Sequence, residues 1–175
     1  MRKLTTGIVI AVVFLTSFKS YPGSSAKGND NNLAISKTNK QTALNAVIAL
    51  SKRDLDGMLQ DCTNNYTDFG DGSAKPLTNK DSFKAAFKQF FTACPDFTGK
   101  NFVAVADSNI VVVIGEWTGT FKRDYGPYKP NDKSFKIPEA DIYTFDKTGK
   151  IISHRSIQSE ATTMYQLGLL VPSEK

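Results

Sequence analysis

The chain has 175 residues, 40% of them hydrophobic and 11% aromatic, which is enough apolar material for one compact domain and too little length for two. Its 22 basic residues against 17 acidic ones give a net charge of +5, but Arg2, Lys3 and Lys19 all precede the first acidic residue, Asp30. What remains is close to neutral with its basic residues scattered, a solvated surface rather than a nucleic-acid-binding patch.

Met1-Arg2-Lys3 leads into an uncharged apolar run from Gly7 to Phe14, extending to Phe18, and then into small and polar residues. This pattern predicts a secretory signal peptide over 1–26, cleaved after Ser20 or Ala26, with an uncleaved anchor as the alternative. The run is shorter than the roughly 20 residues of a membrane span. The expected mature protein is therefore periplasmic or extracellular, with no stable span once the signal is removed. Residues 27–37 read as a flexible leader, and the domain is expected over 38–175.

Ala43, Leu44, Val47, Ile48 and Leu50 form one helical stripe, and Leu55, Met58, Leu59 and Cys62 a second, with Asp54 placed to cap it. Tyr66 to Phe69 predicts a brief strand before the turn-rich Gly70-Asp71-Gly72-Ser73. Thr78 and Asp81 form a weak capping box for a strong helix carrying Phe83, Ala86, Phe87, Phe90 and Phe91, and Pro95 ends it.

Beyond Pro95 the pattern turns to strands: 102–106, a tight turn at 107–109, and 110–121 with the only tryptophan, Trp117. A loop over 122–133 separates these from a strand over 134–145, in which Pro138 suits a bulge or an edge. The turn Asp146-Lys147-Thr148-Gly149 then returns the chain into a strand over 150–158, making a hairpin. A short helix closes the chain near Leu170. Helices followed by antiparallel strands give an α+β class.

Cys62 and Cys94 are the only cysteines. A disulfide between them is chemically allowed after export, although each also suits a buried helix face. Two cysteines and a single histidine do not make a metal site, and no cofactor is expected.

The run Asp141-Ile142-Tyr143-Thr144-Phe145, the turn at Gly149, His154 and Gln166-Leu167-Gly168-Leu169-Leu170 together resemble the C-terminal half of SnoaL-like polyketide cyclase-like proteins. Pro95-Asp96-Phe97, Thr118-Gly119-Thr120 and Asp54-Leu55-Asp56 extend the resemblance over most of 38–172. It implies the cone of the nuclear transport factor 2-like superfamily, a curved mixed or antiparallel sheet with N-terminal helices across its concave face. It also implies a pocket inside and dimers through the outer sheet face. In the family's cyclases the proposed acid/base aspartate stands five residues after the histidine of a Glu-His-Trp motif. Here that position is Ser159, and the motif is Ser153-His154-Arg155, so the resemblance does not carry that cyclase mechanism over.

Strand alternation sorts the faces. Taking Ser159 as facing the pocket puts Ile157, Arg155 and Ser153 inside and His154 on the outer face as a structural or interface residue. Phe135, Ile137, Glu139, Asp141, Tyr143 and Phe145 share one face, and Val113, Gly115, Trp117, Gly119 and Phe121 another, with the two glycines leaving room beside the indole. A carboxylate on an apolar face needs a partner or has a raised pKa. Arg155 is the expected partner of Asp141, and Asp68 is either a second pocket carboxylate or a turn cap.

Three functions follow. The first is an exported protein binding a small, largely apolar molecule, carbonyl- or carboxylate-bearing if Arg155 is in the pocket, held by Trp117, Tyr143, Phe87, Phe91, Tyr66, Arg155, Ser159 and Glu139. The second is a cyclase, isomerase or hydratase using Asp141 or Asp68 as acid/base. The third is a dimeric interaction module whose cone is filled by its own side chains.

Overall fold

A computed structural model describes residues 30–72, 74–158 and 160–170. The expected signal peptide lies outside these residues, as does Ser159. The elements in chain order are α1 (Asp30–Ser51), α2 (Leu55–Leu59), β1 (Cys62–Asp68), α3 (Lys80–Ala93), β2 (Thr98–Asp107), β3 (Ile110–Thr120), β4 (Ser134–Phe145), β5 (Ile151–Ser156) and α4 (Glu160–Gln166).

The five strands form one open, mixed sheet in the order β1-β5-β4-β3-β2. β1 runs parallel to β5, and the other neighbours are antiparallel. This is the expected α+β arrangement, with the helices packed over one face of the sheet.

α1 begins eight residues before the expected start at Thr38, so residues 30–37, read as flexible leader, continue the helix. Nothing in that segment breaks a helix: it holds no proline or glycine. The buried stripe is Asn39, Ala43, Ala46, Val47 and Leu50, with Ile48 turned outward. α2 is capped as expected, Gly57 N donating to Asp54 Oδ1 at 2.9 Å. Cys62 belongs to β1 rather than to this helix. The cap of α3 is Asn79, whose Oδ1 accepts from Ser82 N at 2.8 Å, one residue after the expected Thr78.

Two stretches that carried the family resemblance meet in space. Asp96, just after α3, accepts hydrogen bonds of 2.7 Å from both the backbone N–H and the hydroxyl of Thr120 at the end of β3. The adjacent Phe97 stacks on Trp117, with ring centroids 5.0 Å apart and planes within 6°. Aspartate and threonine fix the strand end, and the ring pair seals the core beside it.

β3 and β4 pair without interruption from Ile110↔Thr144 to Thr120↔Ser134, so Pro138 introduces no bulge. It is tolerated because β5 covers β4 only from Asp141 onward, leaving an edge where a missing N–H costs nothing. Gln166 of α4 occupies that edge: its Oε1 accepts from Lys136 N at 2.7 Å and its Nε2 donates to Lys136 O at 3.2 Å. A side-chain amide thus completes the ladder where a strand is missing.

Candidate functional site

The inward face of β4 is the one expected, and Phe135, Ile137, Asp141, Tyr143 and Phe145 are buried along it. What β5 sets against it differs. Phe145 pairs with Ile151, but Thr144 pairs with Ser153, so Ile152 is an extra residue in β5. Such a bulge shifts every later residue by one position. Tyr143 therefore faces His154, and Asp141 faces Ser156. Without the bulge the same hairpin would set Asp141 opposite Arg155, the expected pairing.

The strand ends at Ser156, so alternation counted back from Ser159 did not apply. His154 is on the inner face, not the outer one. Arg155 is exposed, with its guanidinium carbon 5.0 Å from the centroid of the Phe69 ring, and does not pair with Asp141.

β1 supplies the third member, because its parallel pairing places Asp68 beside His154. Asp68 is fixed by Gly70 N at 2.7 Å and by the Tyr66 hydroxyl at 3.2 Å, so the turn-cap and pocket roles coincide in one residue. The imidazole lies between two carboxylates: Nδ1 is 3.0 Å from Asp68 Oδ2 and Nε2 is 2.9 Å from Asp141 Oδ1. Burial opposes charge on His154, but the two aspartates overcome it and push the group up to about 10. Burial likewise works against ionised Asp68, yet the imidazolium and the hydrogen bonds hold its carboxyl below the usual range.

Glu139, two residues before Asp141, has no such cation in contact. Burial and then the neighbouring Asp141 charge push it up to about 7, against the hydroxyl of Ser156, which donates to Glu139 Oε1.

These groups form the polar end of a cavity of about 380 Å³ that opens between the sheet and α3. The cone is not filled by its own side chains as the third expectation required. Asp68, Glu139, Asp141, His154 and Ser156 line one part, and Phe87, Phe90, Trp117, Phe121 and Phe135 the apolar part. Met164 and Leu167 close it from the C-terminal side. Two buried polar atoms on this lining have no hydrogen-bond partner, Trp117 Nε1 and Asp141 Oδ2.

Of the residues expected to bind a ligand, Trp117, Phe87 and Glu139 line the cavity, as do the two carboxylates Asp68 and Asp141. Tyr66 and Tyr143 are buried behind it in the core, and Phe91 packs against Phe97, leaving Phe90 to line the cavity. The room expected beside Gly115 and Gly119 is taken: a Cβ there would meet the rings of Phe102 at 2.5 Å and Phe135 at 2.8 Å. Cys62 and Cys94 are both free and buried rather than joined, one starting β1 and the other ending α3. Burial pushes their thiols up to about 12 and about 11. Among the described residues no cluster of His, Cys, Asp and Glu could hold a metal, and no helix is long and apolar enough to cross a membrane.

The profile of the SnoaL-like polyketide cyclase family matches residues 40–167. Among solved structures, similar folds occur in a SnoaL-like candidate polyketide cyclase from Jannaschia sp. CCS1, at TM-score 0.69 and 16% identity over 78% of this chain and 96% of that one. AclR, a candidate hydroxylase of Streptomyces galilaeus, gives TM-score 0.65 and 18% identity over 78% and 99%. IdmH, a candidate polyketide cyclase of Streptomyces antibioticus, gives 0.62 and 17% over 74% and 98%. No protein of curated function matches the chain.

Proposed function

Since the chain belongs to the SnoaL-like polyketide cyclase family, we propose that it binds a small, largely apolar molecule in the cavity between α3 and the sheet. The observation that carries this reading is the cavity itself, aromatic along its length and ending in Glu139, Asp141 and His154. A concave apolar site with a few convergent polar groups is the form small-molecule sites take. Replacing Ala86, a half-buried cavity residue of α3, by Trp tests it. The bulky ring should abolish binding of any ligand recovered from a compound screen while the protein remains folded, and unchanged binding would sink the proposal.

A second reading is favoured by Glu139 alone. A carboxyl that titrates near 7 beside an apolar cavity can give or take a proton at neutral pH, whereas Asp68 and Asp141 are each held by His154. We therefore move the acid/base role expected of the aspartates to Glu139. Glu139→Gln should abolish solvent exchange of an activated carbon-bound proton on the ligand even at saturating ligand concentration.

For the quaternary state we propose a homodimer through the outer face of the sheet. Val103, Val105 and Ile114 there are 63%, 59% and 51% exposed, and Val103 is the register partner of Ile114. A contiguous apolar surface on a sheet face marks an interaction site. We further propose export, on the N-terminal pattern of residues 1–26, to be checked by N-terminal sequencing of protein recovered outside the cytoplasm.

A further inference from the structure

The sign of the charge in the cavity narrows the ligand beyond the reading above, on which this inference rests. Three carboxyl side chains, Asp68, Glu139 and Asp141, meet at the polar end with a single cationic partner, the His154 ring. Arg155, the side chain that would have favoured a carboxylate ligand, lies outside against Phe69. Lys75 is the one other basic residue on the described lining, and it sits exposed at the rim.

His154 uses both ring nitrogens on Asp68 Oδ2 and Asp141 Oδ1, and Asp141 Oδ2 is left buried without a donor on a residue that is only 4% exposed. A buried acceptor of this kind is costly unless something donates to it. An anion entering here would add charge to an end already in acidic excess. A ligand bringing a positively charged N–H group would meet the orphaned oxygen and offset the excess together. The walls suit such a ligand, since the rings of Phe87, Phe90 and Trp117 line the apolar part and aromatic surroundings tolerate cations. The Trp117 indole N–H on the same lining is likewise buried without a partner, at 2% exposure.

We propose that the cavity takes a lipophilic amine, its protonated nitrogen donating to Asp141 Oδ2 beside Glu139 and its apolar body lying along Phe87, Phe90 and Trp117.

The test is a matched series on one bicyclic body, 2-naphthylmethylamine, 2-naphthylmethanol and 2-naphthoate, titrated into the full-length domain by calorimetry at about pH 8. The ammonium should bind about tenfold or more tighter than the alcohol, and the carboxylate weakest, as expected for one favourable buried charge contact. Glu139→Gln and Asp141→Asn should each erode the ammonium's advantage while leaving the alcohol's affinity within about threefold. Because the series is read first on the unaltered protein, a variant that fails to fold leaves the conclusion intact. An alcohol that binds as well as the ammonium, or a carboxylate that binds best, overturns the amine and spares the small-molecule pocket. Failure of all three to bind at millimolar concentration overturns both.

Discussion

His154 reaches diagonally across the β4–β5 hairpin to Asp141, Nε2 to Oδ1 at 2.9 Å, although the residue directly opposite Asp141 is Ser156. The diagonal contact leaves Ser156 free to serve Glu139. One histidine therefore divides the carboxyls into two kinds: aspartates tied to a cation, and a glutamate tied only to a hydroxyl. Removing His154 would leave Asp68 and Asp141 buried without a counter-charge. His154→Ala is expected to cost about 3–5 kcal/mol, measured as a lowered urea midpoint at constant slope.

The pH dependence of stability follows from the same groups. His154 has its folded value raised to about 10 from 6.5, so its contribution is complete below about pH 6.5 and is lost as pH rises towards 10. Glu139, raised to about 7 from 4.5, acts in the same sense at lower pH: its contribution is complete below about 4.5 and gone above 7. Asp68, held below 3.8, works oppositely, its contribution present above that value and lost as pH falls. Stability should therefore peak near pH 4–5 and decline through the neutral and basic range. Glu139→Gln should flatten the decline between about 4.5 and 7 and leave the part above 7 unchanged.

Glu139 itself is open to direct titration. Carbon-13 spectra of the glutamate carboxyls should show one group with a midpoint near 7. Asp141→Asn should lower that midpoint by removing a repelling charge, and Ser156→Ala should raise it by removing a hydrogen bond to the ionised form. Movement in the opposite directions would refute the assignment of causes.

Glycine at 115 and 119 is required by neighbouring rings rather than by backbone conformation. Gly115→Ala would drive a Cβ to 2.5 Å from Phe102, and Gly119→Ala to 2.8 Å from Phe135. Each should cost about 1–3 kcal/mol in thermal or urea unfolding. The second should also weaken ligand binding, because Phe135 is a cavity wall.

The proposed dimer is tested at the centre of the outer face. Ile114→Glu should shift sedimentation velocity from a dimer to a monomer, with the α-helical circular dichroism unchanged. A wild-type chain that is monomeric at all concentrations would end the proposal.

Much of this architecture was readable in advance, and the part that was not has a definite cause. The β4 face was legible because Phe135, Ile137, Tyr143 and Phe145 alternate with more exposed residues over an unbroken register, and the following turn because Asp146 accepts from both Thr148 N and Lys150 N ahead of Gly149. Glu139 was placed correctly for the same reason. His154 lies on the face opposite to the one alternation predicts because Ile152, an ordinary strand-forming residue, carries no mark of being unpaired. The cap of α3 slipped by one because Thr78 and Asn79 are both good caps, and only the backbone chooses between them. Phe90 was within the predicted stripe, but which side of an aromatic helix meets a cavity depends on what packs opposite.

The bulge at Ile152 gives this protein an unusual economy. β5 carries two interleaved sets of side chains, Ser153 with Arg155 and His154 with Ser156, and whether Ile152 is bulged out or paired decides which set looks inward. Were Ile152 drawn into the ladder opposite Thr144, every later residue of β5 would slide by one step and Arg155, not Ser156, would stand opposite Asp141. The bulge, rather than any difference in composition, is thus what gives the cavity an imidazole in place of a guanidinium. Loss of the Ile152 codon would remove the bulge while keeping His154 opposite Tyr143.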